Sequence, residues 1–527
     1  MGIALLAVLL GACAEDNHPP KAQEHASTSS SALPSSSPSI SPSTSTTATA
    51  TAADAQAEPE VKKHNHTAYG ETEGRQSGKR WLAGDHHIHS RFSVGWDTDV
   101  NPPAPIIAGD AHYSTAMNAQ MAYLHGLSWM VTTDHGGPNH SKLNLERAYP
   151  DLLASRKAVP GIIQFYGMEL DTPGARHSSL IIPHSGDEAE RLYFLEKTYN
   201  RREVYPKDPA RDTEAFMLEA LKAMREIPNP PLVLANHPGR TATDLGQYTS
   251  VSPTELRNWN DTAPRVAVGM EGAPGHQARA LNPDASLDPT GARGGYGNYP
   301  TMGGFDQMTA RVGGFWDSML GEGRHWWITS DSDSHVHYTE GGADFWPGEF
   351  SKTYVYAEKN YDGILQALRG GHVFVTTGDL LSELYVSAAV EGKTGAANIG
   401  DTLRVEAGDS VRITVKFLDP DTENAHWENP HVSRVDVITG AVTGRLADKS
   451  VDTNPSTKVA GRYHANAWRD EGPYKVFSFL MKNVSADAYV RIRGTSGREL
   501  EPEPDPPGED PWSDLWFYSN PVFIDVK

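Results

Sequence analysis

The sequence predicts an α/β barrel over residues 81–380, followed by an antiparallel β-sandwich over residues 381–527. Three observations carry that prediction. Short apolar runs bounded by turn residues end, one after another, in His, Asp or Glu; stretches with helical spacing lie between them; and beyond Leu381 the pattern becomes strict alternation.

The apolar runs come in order. Trp81-Leu82-Ala83 leads into Asp85-His86-His87-Ile88-His89, and residues 127–133 lead into Asp134-His135. Residues 162–168 lead into Glu169, and His177 opens the run that ends at Ile182. Residues 232–236 lead into His237-Pro238, and residues 326–330 into Asp331-Ser332-Asp333-Ser334-His335. Runs of this kind read as buried parallel strands. In parallel α/β folds chemistry gathers at the carboxyl ends of the strands. His87 and His89 are two apart on an extended chain, so their imidazoles point the same way and form half a metal site. Any one of these residues reads equally well as a satisfied polar group closing a strand. Their recurrence points to a cluster.

The intervening helices are plainest at residues 212–225, where Met217, Leu221 and Met224 make one apolar stripe, and at residues 360–368, stopped by Gly370-Gly371. Trp326 and Trp327 read as core. In the C-terminal region residues 411–417, 435–437 and 489–493 alternate, which predicts strands with one wet face. The Pro- and acid-rich residues 501–511 read as a solvated loop. The Gly-rich residues 294–304 lack the Lys and the strand context of a phosphate cradle, and read as a loop beside the site or a turn.

The chain has 527 residues and a formal charge of −21, from 46 basic and 67 acidic residues, which argues against nucleic acid as the main partner. Leu10-Gly11-Ala12-Cys13 ends an apolar run too short to span a bilayer, which takes about 20 residues, and resembles a bacterial lipobox. Residues 1–13 are therefore expected to be a lipoprotein signal with Cys13 lipidated. Residues 14–80, rich in Ser, Thr, Ala and Pro, form a tether too polar to fold. The protein would be exported and anchored to a membrane facing the periplasm or cell surface. Cys13 is the only cysteine, so thiolates cannot be metal ligands in the folded part. The oligomeric state is not legible.

Taken together, Asp85-His86-His87-Ile88-His89, Thr133-Asp134-His135, Gly167-Met168-Glu169, His177, His237-Pro238 and Ser332-Asp333-Ser334-His335 resemble the ordered motifs of the polymerase and histidinol phosphatase (PHP) superfamily of metallohydrolases. The short gap from Glu169 to His177 and the appended C-terminal region resemble its secreted, carbaryl-hydrolase-like branch. The resemblance implies a distorted (β/α)7 barrel holding two or three divalent ions, Zn, Mn or Fe, on His87, His89, His135, Glu169, His177, His237, Asp333 and His335. It implies Glu169 as a carboxylate bridging two ions. One departure concerns the third ion. The family often has an Asp or His where this chain reads Ser93-Val94-Gly95-Trp96, so that ligand must come from Asp97 or another residue.

Further roles follow from position. Asp85 and Asp134 are expected to hold imidazole tautomers. Arg240 could grip a phosphoryl oxygen as a planar fork, and His276 could protonate a leaving group. Lys142 and Trp96 could contact substrate, with a surface or core role the plainer alternative. The expected activity is hydrolysis of a small-molecule phosphomonoester or phosphodiester by a metal-bound hydroxide. The alternatives are a carbamate or aryl-ester hydrolase, and a non-catalytic metal- or glycan-binding surface lipoprotein.

Overall fold

A computed structural model describes residues 78–527. The expected signal segment, Cys13 and nearly all of the tether lie outside the described residues. No helix among the described residues is long and apolar enough to cross a membrane.

The apolar runs form the centre of a large mixed sheet. Its strands lie in the order Ser351–Ala357, Arg80–Ile88, Trp129–Thr132, Ile163–Asp171, His177–Ile182, Leu232–Ala235, Ala267–Ala273 and Trp327–Ser330. Most neighbours in this series are parallel, as the continuous apolar runs predict. Two strands are exceptions: Ser351–Ala357 is antiparallel to Arg80–Ile88, and His177–Ile182 is antiparallel to both its neighbours. That reversal corrects the reading of every run as parallel, and it matters. His177 opens a strand that runs backwards, so it lies at the end of the sheet where its neighbours finish. The last strand returns to the first through an Ile88–Ser334 bridge and a hydrogen bond from the His89 amide to the Ser334 carbonyl at 3.0 Å.

Helices cover this sheet. Glu214–Arg225 is capped by the Thr213 side chain and buries Met217, Leu221 and Met224. Tyr361–Gly370 is capped by Asn360 and ends on Gly371 in the left-handed conformation. Gly84 is required by a close approach, since a Cβ there would lie 1.9 Å from the Trp129 ring. Trp326 and Trp327 are core, as expected.

The C-terminal region differs from a free-standing antiparallel sandwich. Glu383–Val390, Asp409–Leu418, Tyr474–Val484 and Arg469–Glu471 form a separate four-stranded antiparallel sheet. The remaining strands join the large sheet, because Trp516–Ser519 pairs with Val373–Thr377. Thr402–Val405 pairs in parallel with Val522–Val526. The alternation in Asp409–Leu418 does mark one partly wet face. In Arg434–Ala441 and Ala488–Thr495 it does not, since nearly every residue is buried. Their polar positions are paired charges: Arg491 meets Asp317 at 2.8 Å and Arg493 meets Asp436 at 3.0 Å. Nor are residues 501–511 wholly solvated. Asp505 is buried and accepts hydrogen bonds from Thr301 Oγ1 and the amides of Gly303 and Gly304.

Candidate metal centre

The strand ends bring the predicted ligands into one buried cluster. His87 and His89 are wholly buried, their rings 4.9 Å apart. Their Nε2 atoms lie 3.1 and 3.2 Å from Asp333 Oδ1. Glu169 Oε1 lies 3.2 Å from His87 Nε2, 3.0 Å from His177 Nδ1 and 3.3 Å from His237 Nε2. Glu169 Oε2 faces His89 Nε2 at 3.6 Å. Two overlapping donor groups result: His87, His89, Glu169 and Asp333, and then Glu169, His177 and His237. They share Glu169, whose two oxygens can serve two ions.

These donors fit divalent metals. Ligands on a tetrahedral ion at about 2.1 Å stand roughly 3.4 Å from one another, the scale of the separations here. His89 Nε2 and Asp333 Oδ1 are buried without a hydrogen-bond partner although they face each other. Nitrogen and oxygen donors without sulfur suit Zn, Mn or Fe.

A third group contains His89, His135 and His335. One imidazole nitrogen serves one ion, so this group needs its own carboxylate. Asp110 supplies it, with Oδ2 at 2.8 Å from His135 Nε2 and 3.4 Å from His335 Nε2. Asp97, the residue offered from sequence, instead accepts from the Asp99 amide. Sequence reasoning missed Asp110 because the short Ile106-Ile107-Ala108 run before it follows Pro102, Pro103 and Pro105 and does not read as a strand. It is carried in by the hairpin of Gly95–Asp97 with Ala104–Ile106 and by a tight turn. Gly109 is obligatory there, since a Cβ would come within 2.7 Å of the Gly95 amide nitrogen.

The electrostatics are those of acids and imidazoles forced together. Burial opposes charge on Glu169 and Asp333. Even so, His177 and His87 hold Glu169, and His276 and His87 hold Asp333, well below the usual carboxylate range. Burial likewise opposes the His87 cation, but Asp333, Glu169 and Glu271 raise it well above an ordinary imidazole. His335 is pushed to about 10, with Asp110 overcoming burial. A dication would take the place of these protons, so binding would release them.

The backbone is strained at the same place. His237, His276 and Asp333 have φ of 31°, 56° and 46°, the left-handed region that side chains rarely adopt. The turns aim these side chains back over the sheet end. Gly275 allows the His276 loop to lie on Asp333, where a Cβ would meet the Asp333 Cβ at 2.2 Å.

Several expected roles change. Asp85 does not hold an imidazole. It accepts from the amides of His87 and Ser332 at 2.9 and 3.1 Å, tying two motif loops together. Asp134 accepts from the Ser90 amide and hydroxyl, at 2.6 and 2.8 Å, and reaches His89 only through Ser93. The carboxylate that orients an imidazole is Glu271, unnoticed in the sequence, with Oε1 2.7 Å from His87 Nδ1 and Oε2 accepting from the His237 amide. Its strand, Ala267–Ala273, ends in no motif. Lys142 is not in the cluster; it is exposed and pairs weakly with Glu146 at 3.9 Å. His140 is buried between Glu196 and the Phe92 carbonyl, as structure. His86 is a satisfied core histidine, on Ser179 and Thr329. Trp96 packs over Gly137 in the loop that follows His135, at the rim. Arg240 Nη2 and His276 Nε2 both lie 3.0 Å from Asp333 Oδ2. The Gly-rich loop is on the site side: the Gly294 carbonyl accepts from Arg240 Nε at 3.2 Å.

The converging motifs resemble those of the PHP superfamily. No family model matches the chain, and no curated protein matches it. Similar solved structures include these two. One is a two-domain protein containing a predicted PHP-like metal-dependent phosphoesterase, from Bacteroides vulgatus. It has 15% identity and a TM-score of 0.33 over 85% of this chain and 96% of that one. The other is a lesion-specific endonuclease, EndoQ of Pyrococcus furiosus, with 14% identity and a TM-score of 0.29 over 60% of this chain and 64% of that one. At such values these likenesses carry no argument, and the PHP-like character of the chain is a resemblance of its motif residues.

Proposed function

We propose that this chain is a metal-dependent hydrolase of small phosphoesters, built on a distorted (β/α)7 barrel and acting outside the cytoplasm from a Cys13 lipid anchor. His87, His89, Glu169 and Asp333 would hold one ion, Glu169, His177 and His237 a second, and Asp110, His135 and His335 a third. Ions bound there would supply Lewis acidity and an activated water.

The observation that carries the phosphoester reading is the fixed cation beside the donor cluster. Arg240 is gripped through Nε by the Gly294 carbonyl and through Nη2 by Asp333. Its Nη1 has no partner among the described residues and can meet a phosphoryl oxygen. His276 lies between Asp333 and Asp344, which outweigh burial and raise its pKa. Held against both carboxylates, its ring is placed to pass a proton to a leaving oxygen. A carbamate or aryl-ester hydrolase would place apolar and aromatic groups at this position instead.

The test is metal analysis of the purified protein, followed by rates on nitrophenyl phosphate mono- and diesters beside aryl carbamates. Turnover of carbamates alone would overturn the phosphoester reading. Replacing Arg240 by Ala should raise KM for phosphoesters more than it lowers metal content.

A further inference from the structure

At the opposite end of the strands the charge reverses. A cavity of about 500 Å³ is lined by Arg265, His325, Arg369, Arg445 and His372, with Asp401 the one carboxylate on its wall. Arg265 and His325 lie two residues before the Ala267–Ala273 and Trp327–Ser330 strands begin. They therefore lie roughly 20 Å from Glu271 and Asp331, taking about 3.3 Å per residue along a strand. This cavity is thus distinct from the metal centre.

The basic groups here are poorly neutralised. The Arg265 guanidinium makes no hydrogen bond or ion pair among the described residues, and neither does the His325 ring. That ring is held by stacking on Trp327 and Phe523, with centroids 5.1 and 5.4 Å away. Arg369 is buried and uses its guanidinium on the carbonyls of Arg265 and Pro230. The ion pair of Arg445 is a distant one, with Asp261 at 3.6 Å, which Arg324 and Lys449 already hold at 2.6 and 2.7 Å. Asp401 accepts from the Asn398 amide and lies 3.9 Å from His372. Like charges depress one another: after burial, Arg265 lowers Arg369 and Arg445 lowers His325. A chain with net charge −21 has no shortage of carboxylates to place here. Converging guanidinium groups with spare donors are the chemistry that recognises a phosphate oxyanion.

We infer that this cavity is a second, non-catalytic site that binds a phosphate group. The described chain starts beside it, since Lys79 lines an adjoining cavity that shares His372 and Asp401. The phosphate could therefore come from free solute or, if the proposed Cys13 anchor holds the chain to a membrane, from a lipid headgroup there.

The experiment uses metal-loaded Cys13→Ala protein, so that no acyl chain contributes, and compares it with the same protein carrying Arg265→Ala and Arg445→Ala. Both arginines are exposed, so the fold should survive, and nitrophenyl phosphate turnover reports that the metal centre is intact. Calorimetric titration with inorganic phosphate should find one more site in the parent than in the double variant, or the same site weakened at least about tenfold. Arg265→Lys with Arg445→Lys should restore part of it. Flotation on phosphatidylcholine vesicles with and without phosphatidylglycerol separates the sources: anionic-vesicle binding lost in the double variant assigns a lipid headgroup, and phosphate binding without vesicle binding assigns a free ligand. Equal phosphate stoichiometry and affinity in parent and double variant, with no vesicle binding by either, would overturn the inference.

Discussion

Two regions of this molecule bury charge, and they do so differently. In the seam between the strand-covering helices and the C-terminal strands, each cation is paired directly with an anion. Arg491 donates through Nε and Nη2 to the two oxygens of Asp317, both at 2.8 Å, and lies over the Trp316 ring. Arg257 and Arg324 share Glu322, at 2.5 and 2.8 Å. At the strand ends the buried groups are acids and imidazoles that leave atoms unmet. Both oxygens of Asp331 lack a partner, as do His89 Nε2 and Asp333 Oδ1. Burial and then Glu271 push the Asp331 carboxyl well above the ordinary carboxylate range. Opposite charges paired one to one are consistent with structure, and several buried acids crowded among imidazoles mark a place where a cation is meant to bind.

That contrast can be broken by experiment. The largest effect is expected at the seam. Asp317→Ala strands Arg491 without its anion and should lower unfolding stability by about 3–5 kcal/mol, measured by urea denaturation, while turnover per folded molecule is unchanged. A loss below about 1 kcal/mol would mean that the seam is no better satisfied than the centre.

Next is Glu169→Gln. It keeps the size of the side chain and removes a charge shared by two donor groups. Metal content should fall by about one ion per chain and kcat by at least roughly 10²-fold. The fold should survive, as read by circular dichroism. Full metal content and full activity would sink the shared-carboxylate arrangement. Asp110→Asn should follow with a smaller loss, about 10-fold in the affinity of the last ion to load. Metal titration with mass spectrometry checks it, and an unchanged loading curve would remove Asp110 from the centre. The smallest effect should be at Lys142, whose replacement by Ala should shift stability by less than about 0.5 kcal/mol and leave KM unchanged. A severalfold rise in KM would return it to the substrate site.

Much of the centre was legible in the sequence because its residues sit at the ends of apolar runs. His87, His89, His135, Glu169, His177, His237, Asp333 and His335 each carry that local signal, and the pleat fixes the direction of the first two. The helices at residues 212–225 and 360–368 were legible for the same reason, their stripes and caps being local. What the sequence could not determine depends on contacts between distant segments. Asp110 arrives through a hairpin with no periodic signature, and Glu271 is an acidic residue inside a strand until His87 is placed beside it. The reversed direction of the His177–Ile182 strand is a choice of pairing, invisible in an apolar run that reads the same in either sense. The alternating C-terminal strands showed the converse. Alternation distinguishes two faces, but it cannot say whether the polar one meets water or, as at Arg491 and Arg493, a buried carboxylate from another part of the chain. Local spacing decides which residues share a face, and only the packed fold decides what that face is turned toward.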